Sequence, residues 1–360
     1  MPEEKPSEDH ALDDRTVLAS APLRISLVGG GTDFPHYYEA GGGAVLSITI
    51  DHHAHVSMRP RHDNLVSIRS LDLGRLVEYR VDEAPVFDGA LDLVKAAIRR
   101  FDLAGGVDVQ VRSDAPAGSG LGGSSALTTA VVAALAALVG RRLGRHELAE
   151  LSYRIEREDL GIAGGKQDQY ATTFGGLNLI EFSAAGVAVT PVVAAEGAVS
   201  RLHERLLLCY TGGVRTNLGL IDTQIRLFRE GREETILGMK QLHELVYAMR
   251  DALVTGDVEA VGAMLHEAHE SKKLMNPHIA DETPIEQLFE AARRAGAAGG
   301  KICGAGGGGY LLLYCEPGRR SAVRAELERL GGQLARFAFT QEGVRARVGD
   351  LEWRPDPTAA

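Results

Sequence analysis

The run from Asp114 to Ala126 reads DAPAGSGLGGSSA and leads directly into an apolar stretch ending at Val139. Glycine at this density costs conformational entropy on folding, so its place is a loop whose backbone turns sharply or approaches another group closely. Ser124 and Ser125 stand at the loop's end, and the spacing predicts a buried helix over 126–139 with these serines as caps. The apolar stretch is Ala-rich, is interrupted by Thr128 and Thr129, and falls short of the ~20 residues that a membrane span needs. A glycine loop that feeds a helix N-terminus offers backbone N–H groups to an anion. Phosphate chemistry is the first reading to test.

Two other phosphate motifs fail on detail. Gly118 to Gly123 fits G-x-G-x-x-G, but that dinucleotide fingerprint needs an acid about 20 positions later to hold a ribose. No Asp or Glu lies between Asp114 and Glu147, and Arg141, Arg142 and Arg145 occupy the region instead. Lys166 and Lys301 follow glycines, yet neither is succeeded by the hydroxyl residue of a Walker-type loop. The metal patterns are equally incomplete. His266 and His269 are three apart where H-E-x-x-H requires four, and His53 with His55 on one strand face lacks a third ligand.

The chain has 360 residues, more than one core of roughly 250–300 residues accommodates, and divides most simply into two domains. A net charge of −10 supplies no positive field for DNA, RNA or an anionic membrane. Cys209, Cys303 and Cys315 make neither an even set nor a C-x-x-C pair, which argues against a disulfide framework and fits a reducing cytoplasm. Residues 1–15, with Glu3, Glu4, Glu8, Asp9, Asp13 and Asp14, read as a disordered acidic tail and lack the basic, then apolar, pattern of a signal peptide. A homodimer is left open.

Periodicity predicts a strand from Thr16 to Val28, an antiparallel meander over 44–81, a helix from Leu91 to Phe101 and a strand from Val107. A helix from His146 to Asp159 and a short one at Gln169 to Thr173 precede a glycine-broken strand pair. The domain boundary falls near residue 200. Beyond it come helices around 217–229, 235–253, 258–273 and 285–295, then a strand from Tyr310 to Cys315, a helix from Arg319 and a strand from Gln333 to Phe339. The pattern is α+β.

Glycine-rich segments at 29–31 and 301–309 accompany the one at 116–126. Together with Arg24, Asp33, Glu156 and Asp168 they provide phosphate donors, acids for a metal and a base, and a cation, the parts of phosphoryl transfer. The chain resembles the GHMP kinases over about 22–339. Its motifs are Pro22 to Asp33 (PLRISLVGGGTD), Pro116 to Ala126 and Lys301 to Gly309, in the family's order. GGGTDF at 29–34, with Tyr37 and Tyr38, and GIAGGKQDQY at 161–170 are similar to the heptose phosphate kinases of that family.

The resemblance implies a two-domain α+β fold, an ATP-binding domain over 16–200 and a ferredoxin-like domain over 201–350. It implies Asp168 as catalytic aspartate with Arg24 beside it. Pro116, Gly118, Ser119, Gly120, Leu121, Gly122, Gly123, Ser124 and Ser125 hold the ATP, Ser124 and Glu156 hold Mg²⁺, and Asp33 with Gly30, Gly31 and Thr32 meets the sugar. Galactokinases carry Glu-His where Gly30-Gly31 stand here, which implies a different or larger sugar. The implied acceptor is the anomeric hydroxyl of D-glycero-D-manno-heptose 7-phosphate. Its remote phosphate needs cations, for which Lys166, Arg215, Lys272 and Lys273 are the candidates. The alternatives are fucose or galactose as acceptor, or a non-catalytic sugar sensor on the same fold.

Overall fold

The computed structural model describes residues 16–214, 219–279 and 284–356. The acidic segment 1–15 and Arg215 lie outside them. The strands are β1 (Val17–Val28), β2 (Gly43–Pro60), β3 (Leu65–Ser70), β4 (Arg75–Arg80), β5 (Val107–Ser113), β6 (Leu177–Ser183) and β7 (Gly186–Pro191). They continue with β8 (Leu206–Val214), β9 (Ala297–Ile302), β10 (Gly308–Cys315), β11 (Gln333–Ala335), β12 (Arg345–Val348) and β13 (Leu351–Trp353).

The first sheet has the order β13-β12-β1-β2-β5-β3-β4, with β6 also pairing β2 and β7 beyond it. Along one edge of the long β2, residues 43–48 pair with β6 and residues 54–60 pair with β5. At the same level β1 changes register between Pro22 and Arg24. This break is where the glycine loop enters, because the Arg24 N–H donates to the Leu121 carbonyl at 3.0 Å. The expected meander is corrected here: β5 inserts between β2 and β3 and runs parallel to β3. The connection over 61–64 therefore steps across β5, and Gly106 makes room, since a Cβ there would lie 2.1 Å from the Leu65 carbonyl oxygen.

The predicted apolar helix spans Gly123–Leu138 and is buried nearly all round, as its lack of an amphipathic face requires. It starts earlier than the caps implied. Gly122 is the N-cap, in the left-handed region at φ 75°, and neither serine caps the helix.

The second sheet has the antiparallel order β11-β8-β10-β9. With helices between β8 and β9 and between β10 and β11, this is the β-α-β-β-α-β ferredoxin-like arrangement. β10 reads GGYLLLYC and is buried on both faces, so it lacks polar alternation. Leu312 and Tyr314 face the main core, which takes in Val246 and Leu265, whereas Leu311 and Leu313 face a second cluster with Phe289 and Val323. Strand β9 and the helix Ala198–Arg205 carry no periodic signal and are additions to the sequence reading. Gly299 in β9 admits a helix so closely that a Cβ would lie 1.8 Å from the Gly262 carbonyl oxygen.

The first sheet's sequence-ordered strands end with β7 and the second sheet begins with β8, on either side of residue 200. The chain then returns, and β12 pairs antiparallel with β1. Among the described residues no helix is long and apolar enough to cross a membrane.

Candidate active site

Arg24 lies at the break in β1, buried, with its guanidinium turned to the start of the helix Gln167–Phe174. Its Nε donates to Asp168 Oδ1 at 2.8 Å, and Nη2 lies 2.6 Å from the same oxygen. Nη1 donates to the Gly120 carbonyl at 2.8 Å. One cation thus joins the second glycine motif to the aspartate. Glycine is favoured at 122, where φ is 75° and a Cβ would crowd the Arg24 side chain at 3.3 Å.

The first glycine segment makes a turn that aims Asp33 into the same cleft. The Gly31 N–H and Gln167 Nε2 donate to Asp33 Oδ1 at 3.0 and 3.3 Å, and the Gln167 N–H donates to Oδ2 at 3.1 Å. Burial pushes the Asp33 carboxyl up, against the pull of these backbone donors. Gly165 closes over it so tightly that a Cβ would lie 1.9 Å from Asp33 Oδ2. Gly30 and Gly31 line the cleft. Thr32 does not meet the expected sugar role: its hydroxyl reaches the Gly29 and Ala44 carbonyls at 2.8 Å and accepts from the Ala44 N–H at 3.1 Å. It holds the turn.

The helix Arg145–Arg154 ends in a π-helical turn, Ile155–Asp159, a local widening found often at functional sites. That turn buries Glu156. Ser125 Oγ donates to Glu156 Oε2 at 3.1 Å, and Gln169 Nε2 donates to Ser125 Oγ at 3.1 Å. Burial raises the Glu156 carboxyl above its ordinary range, opposed by Arg157. Its other oxygen, Oε1, is buried with no partner among the described residues. The serine expected beside Glu156 was Ser124. Ser124 is exposed, and it is Ser125 that faces inward. The helical period decides this, because only one of two adjacent residues can face the following helical segment that carries Glu156.

In the glycine loop Ser119 and Leu121 are buried, whereas Pro116 and Gly118 are exposed. The N–H groups of Gly123, Ser124 and Ser125 sit in the first helical turn, where no intrahelical acceptor exists for them. The third glycine segment supports this loop from behind. The Tyr310 N–H donates to the Ser119 carbonyl at 3.1 Å, and a Cβ on Gly304 would lie 2.5 Å from Gly120 Cα.

The cleft between these elements is lined by Arg24, Asp33, Gln167 and Asp168 on one side and by Gln224, Lys272 and Lys301 on the other. Lys166 is not among its lining residues. Its Nζ pairs with Glu150 at 2.7 Å and rests over the Tyr153 ring at 4.7 Å. Lys273 is likewise committed, to Glu270 and Glu286 at 3.2 and 3.0 Å. Lys272 alone of the described candidate cations faces the cleft. Sequence reading missed Arg157, which lines the cleft beside Gly164 and whose Nε lacks a partner, because on a charged helix it looks like any solvated arginine. It also missed the part played by Lys301, for which the signal was a lysine inside a strand, β9, that pairs with the apolar β10. A wider trough of about 650 Å³ lies against the outer face of the first sheet, between Leu18, His55, Arg112 and Arg345, and contains none of the candidate residues.

Comparison with known proteins agrees with this geometry. Residues 89–176 match the GHMP kinases N terminal domain and residues 249–333 the GHMP kinases C terminal domain. The chain is 34% identical to D-glycero-alpha-D-manno-heptose 7-phosphate kinase of Campylobacter jejuni, over 92% of this chain and 99% of that protein. A crystal structure of a D-glycero-D-manno-heptose 1-phosphate kinase from Bacteroides thetaiotaomicron superposes with a TM-score of 0.76 at 30% identity, covering 92% of this chain and 98% of the other. Lactococcus lactis galactokinase, at 21% identity and a TM-score of 0.73 over 91% of this chain and 94% of that one, shares the fold. A complete two-domain match of this extent, with the three glycine motifs assembled around Arg24 and Asp168, makes the chain a member of the GHMP kinase family, an ATP-dependent sugar kinase.

Proposed function

We infer that the protein transfers the γ-phosphoryl group of ATP to the anomeric hydroxyl of D-glycero-D-manno-heptose 7-phosphate, giving the 1,7-bisphosphate and ADP. The observation that carries the chemistry is the Arg24–Asp168 pair at the mouth of the glycine loop. The sugar is supported by the heptose phosphate kinases to which the chain is similar.

In this reading residues 16–200 hold the nucleotide, and residues between Ile221 and Ala305 supply the facing wall of the acceptor cleft. Backbone N–H groups between Gly118 and Ser125 bind the triphosphate at the helix N-terminus. Asp168 accepts the proton of the anomeric hydroxyl as its oxygen forms the new bond to the γ-phosphorus and the bond to ADP breaks. Arg24 keeps the Asp168 carboxylate in place and offsets negative charge on the transferring group. Asp33, oriented by Gln167 and Gly31, has one lone pair left, on Oδ2, to accept from a sugar hydroxyl. Gly30 and Gly31 leave room for the ring.

Ser125 and Glu156 suit Mg²⁺. They are hard oxygen donors, Glu156 Oε1 is buried and unpartnered, and this ion needs only one or two protein groups beside phosphate oxygens and water. When bound, Mg²⁺ neutralises charge on the phosphates.

The names of the two relatives put the sugar's existing phosphate on different carbons, so the position of the new one is the test. Incubation of heptose 7-phosphate with ATP should give a product whose second phosphorus signal couples to the anomeric proton in ³¹P NMR. A new phosphate on any other carbon, or consumption of heptose 1-phosphate in preference to the 7-phosphate, overturns this reading.

A further inference from the structure

We propose that Lys272 is the specificity-determining cation of the acceptor cleft, binding the phosphate that the sugar already carries. The inference rests on the sugar phosphate reading above.

Buried charges in folded proteins are normally paired with an opposite charge. Lys272 is only 6% exposed, yet among the described residues its ammonium donates to a single acceptor, the Gly304 carbonyl, and meets no carboxylate in an ion pair. The adjacent Lys273, more exposed, has two carboxylate partners. The other cations lining the cleft have more partners: Arg24 pairs with Asp168, Arg157 pairs with Glu156 and donates to the Ile162 and Gly165 carbonyls, and Lys301 donates to the Ser26 and Leu27 carbonyls of β1 at 2.7 and 3.2 Å. Lys272 is therefore an ammonium with spare donors facing a cleft whose floor is the acceptor site. The cleft lining includes Arg24, Asp33 and Asp168 but none of the residues from Pro116 to Ser125, and the anion we assign to Lys272 is the acceptor's phosphate.

The surroundings reinforce this. Burial first, and then Lys301, pull the Lys272 ammonium down to about 7, with Arg24 acting in the same direction and Cys303 and Asp33 opposing. A phosphate dianion beside it favours the charged form. Lys272 has most to offer an anion at or below neutral pH.

The test compares heptose 7-phosphate with unphosphorylated heptose, using ATP, in the parent protein, Lys272→Met and Lys272→Arg. A charge-assisted hydrogen bond to phosphate corresponds to about 10–100-fold in affinity. In Lys272→Met the preference for the phosphorylated sugar, as a ratio of kcat/KM values, should fall by that factor, mainly through KM. Lys272→Arg should retain more of the preference. The methionine variant removes a buried unpaired charge, so unfolding is not the expected consequence. A second measurement needs no variant: between pH 7 and 9 the parent's KM for heptose 7-phosphate should rise relative to that for heptose. An unchanged preference in Lys272→Met, or an equal loss of kcat with both sugars, overturns the role of Lys272 and leaves the sugar phosphate reading intact. A parent protein that does not favour heptose 7-phosphate overturns that reading itself.

Discussion

An Asp168→Asn protein should turn over about 10²–10⁴-fold more slowly than the parent while still binding MgATP, because general base catalysis typically contributes that much. The amide oxygen of Asn can still accept from Arg24, whose Nε now donates to Asp168 Oδ1 at 2.8 Å, so the geometry of the loop is kept. The countercharge is not kept. Removing one partner of a fully buried pair costs about 3–5 kcal/mol, but the Asp168 side chain is 23% exposed, and a smaller loss of stability is expected. Steady-state kinetics well below the melting temperature, with nucleotide-dependent thermal stabilisation as the control for folding, separates the two effects. Turnover within a few-fold of the parent removes Asp168 from the base role.

The second large effect concerns Glu156. Glu156→Gln should raise the Mg²⁺ concentration for half-maximal rate by more than the ~10–100-fold typical of outer-shell partners, since a charged ligand is lost. Ser125→Ala should move the Mg²⁺ requirement in the same direction, and Ser124→Ala should leave it near the parent's. That contrast follows from Ser125, and not the exposed Ser124, donating to Glu156 Oε2 at 3.1 Å. The pH dependence has a definite sign. Burial raises the Glu156 carboxyl, and its charge is present above that raised value and lost as the pH falls through it. The Mg²⁺ requirement should therefore increase towards acid pH in the parent and stay flat there in Glu156→Gln. Equal Mg²⁺ profiles for the parent and Glu156→Gln would place the metal elsewhere.

The parts of the site that sequence reading could reach were those fixed by backbone demands. Gly29, Gly31, Gly120, Gly122, Gly304, Gly306, Gly308 and Gly309 stand where the chain turns with positive φ, and at Gly120 and Gly304 it also passes against another backbone. The carboxylates Asp33, Glu156 and Asp168 were marked by the resemblance to the GHMP kinases; Asp33 follows the first glycine turn, whereas Glu156 and Asp168 stand in helical segments. What failed depended on which way a side chain points. Ser124 and Ser125 are indistinguishable in a glycine-serine string until the helix start at Gly123 sets their faces. Lys166 lies next to the cleft in sequence, yet Glu150 and Tyr153, a helix away, draw its ammonium out. Strand order failed similarly. The alternation over 44–81 announced strands, but nothing local could announce that β5, from beyond the helix Asp92–Arg99, would insert between β2 and β3.

Phosphorylation in this cleft of a sugar that already bears a phosphate is tested by ATP consumption with heptose 7-phosphate, unphosphorylated heptose, fucose, galactose and mevalonate, each at matched concentrations with Mg²⁺. Heptose 7-phosphate should have the highest kcat/KM, by at least the ~10-fold that one charge-assisted phosphate contact contributes. A higher kcat/KM for fucose, galactose or mevalonate contradicts the acceptor assignment, and no ATP consumption with any of them contradicts the kinase reading of the Arg24–Asp168 cleft.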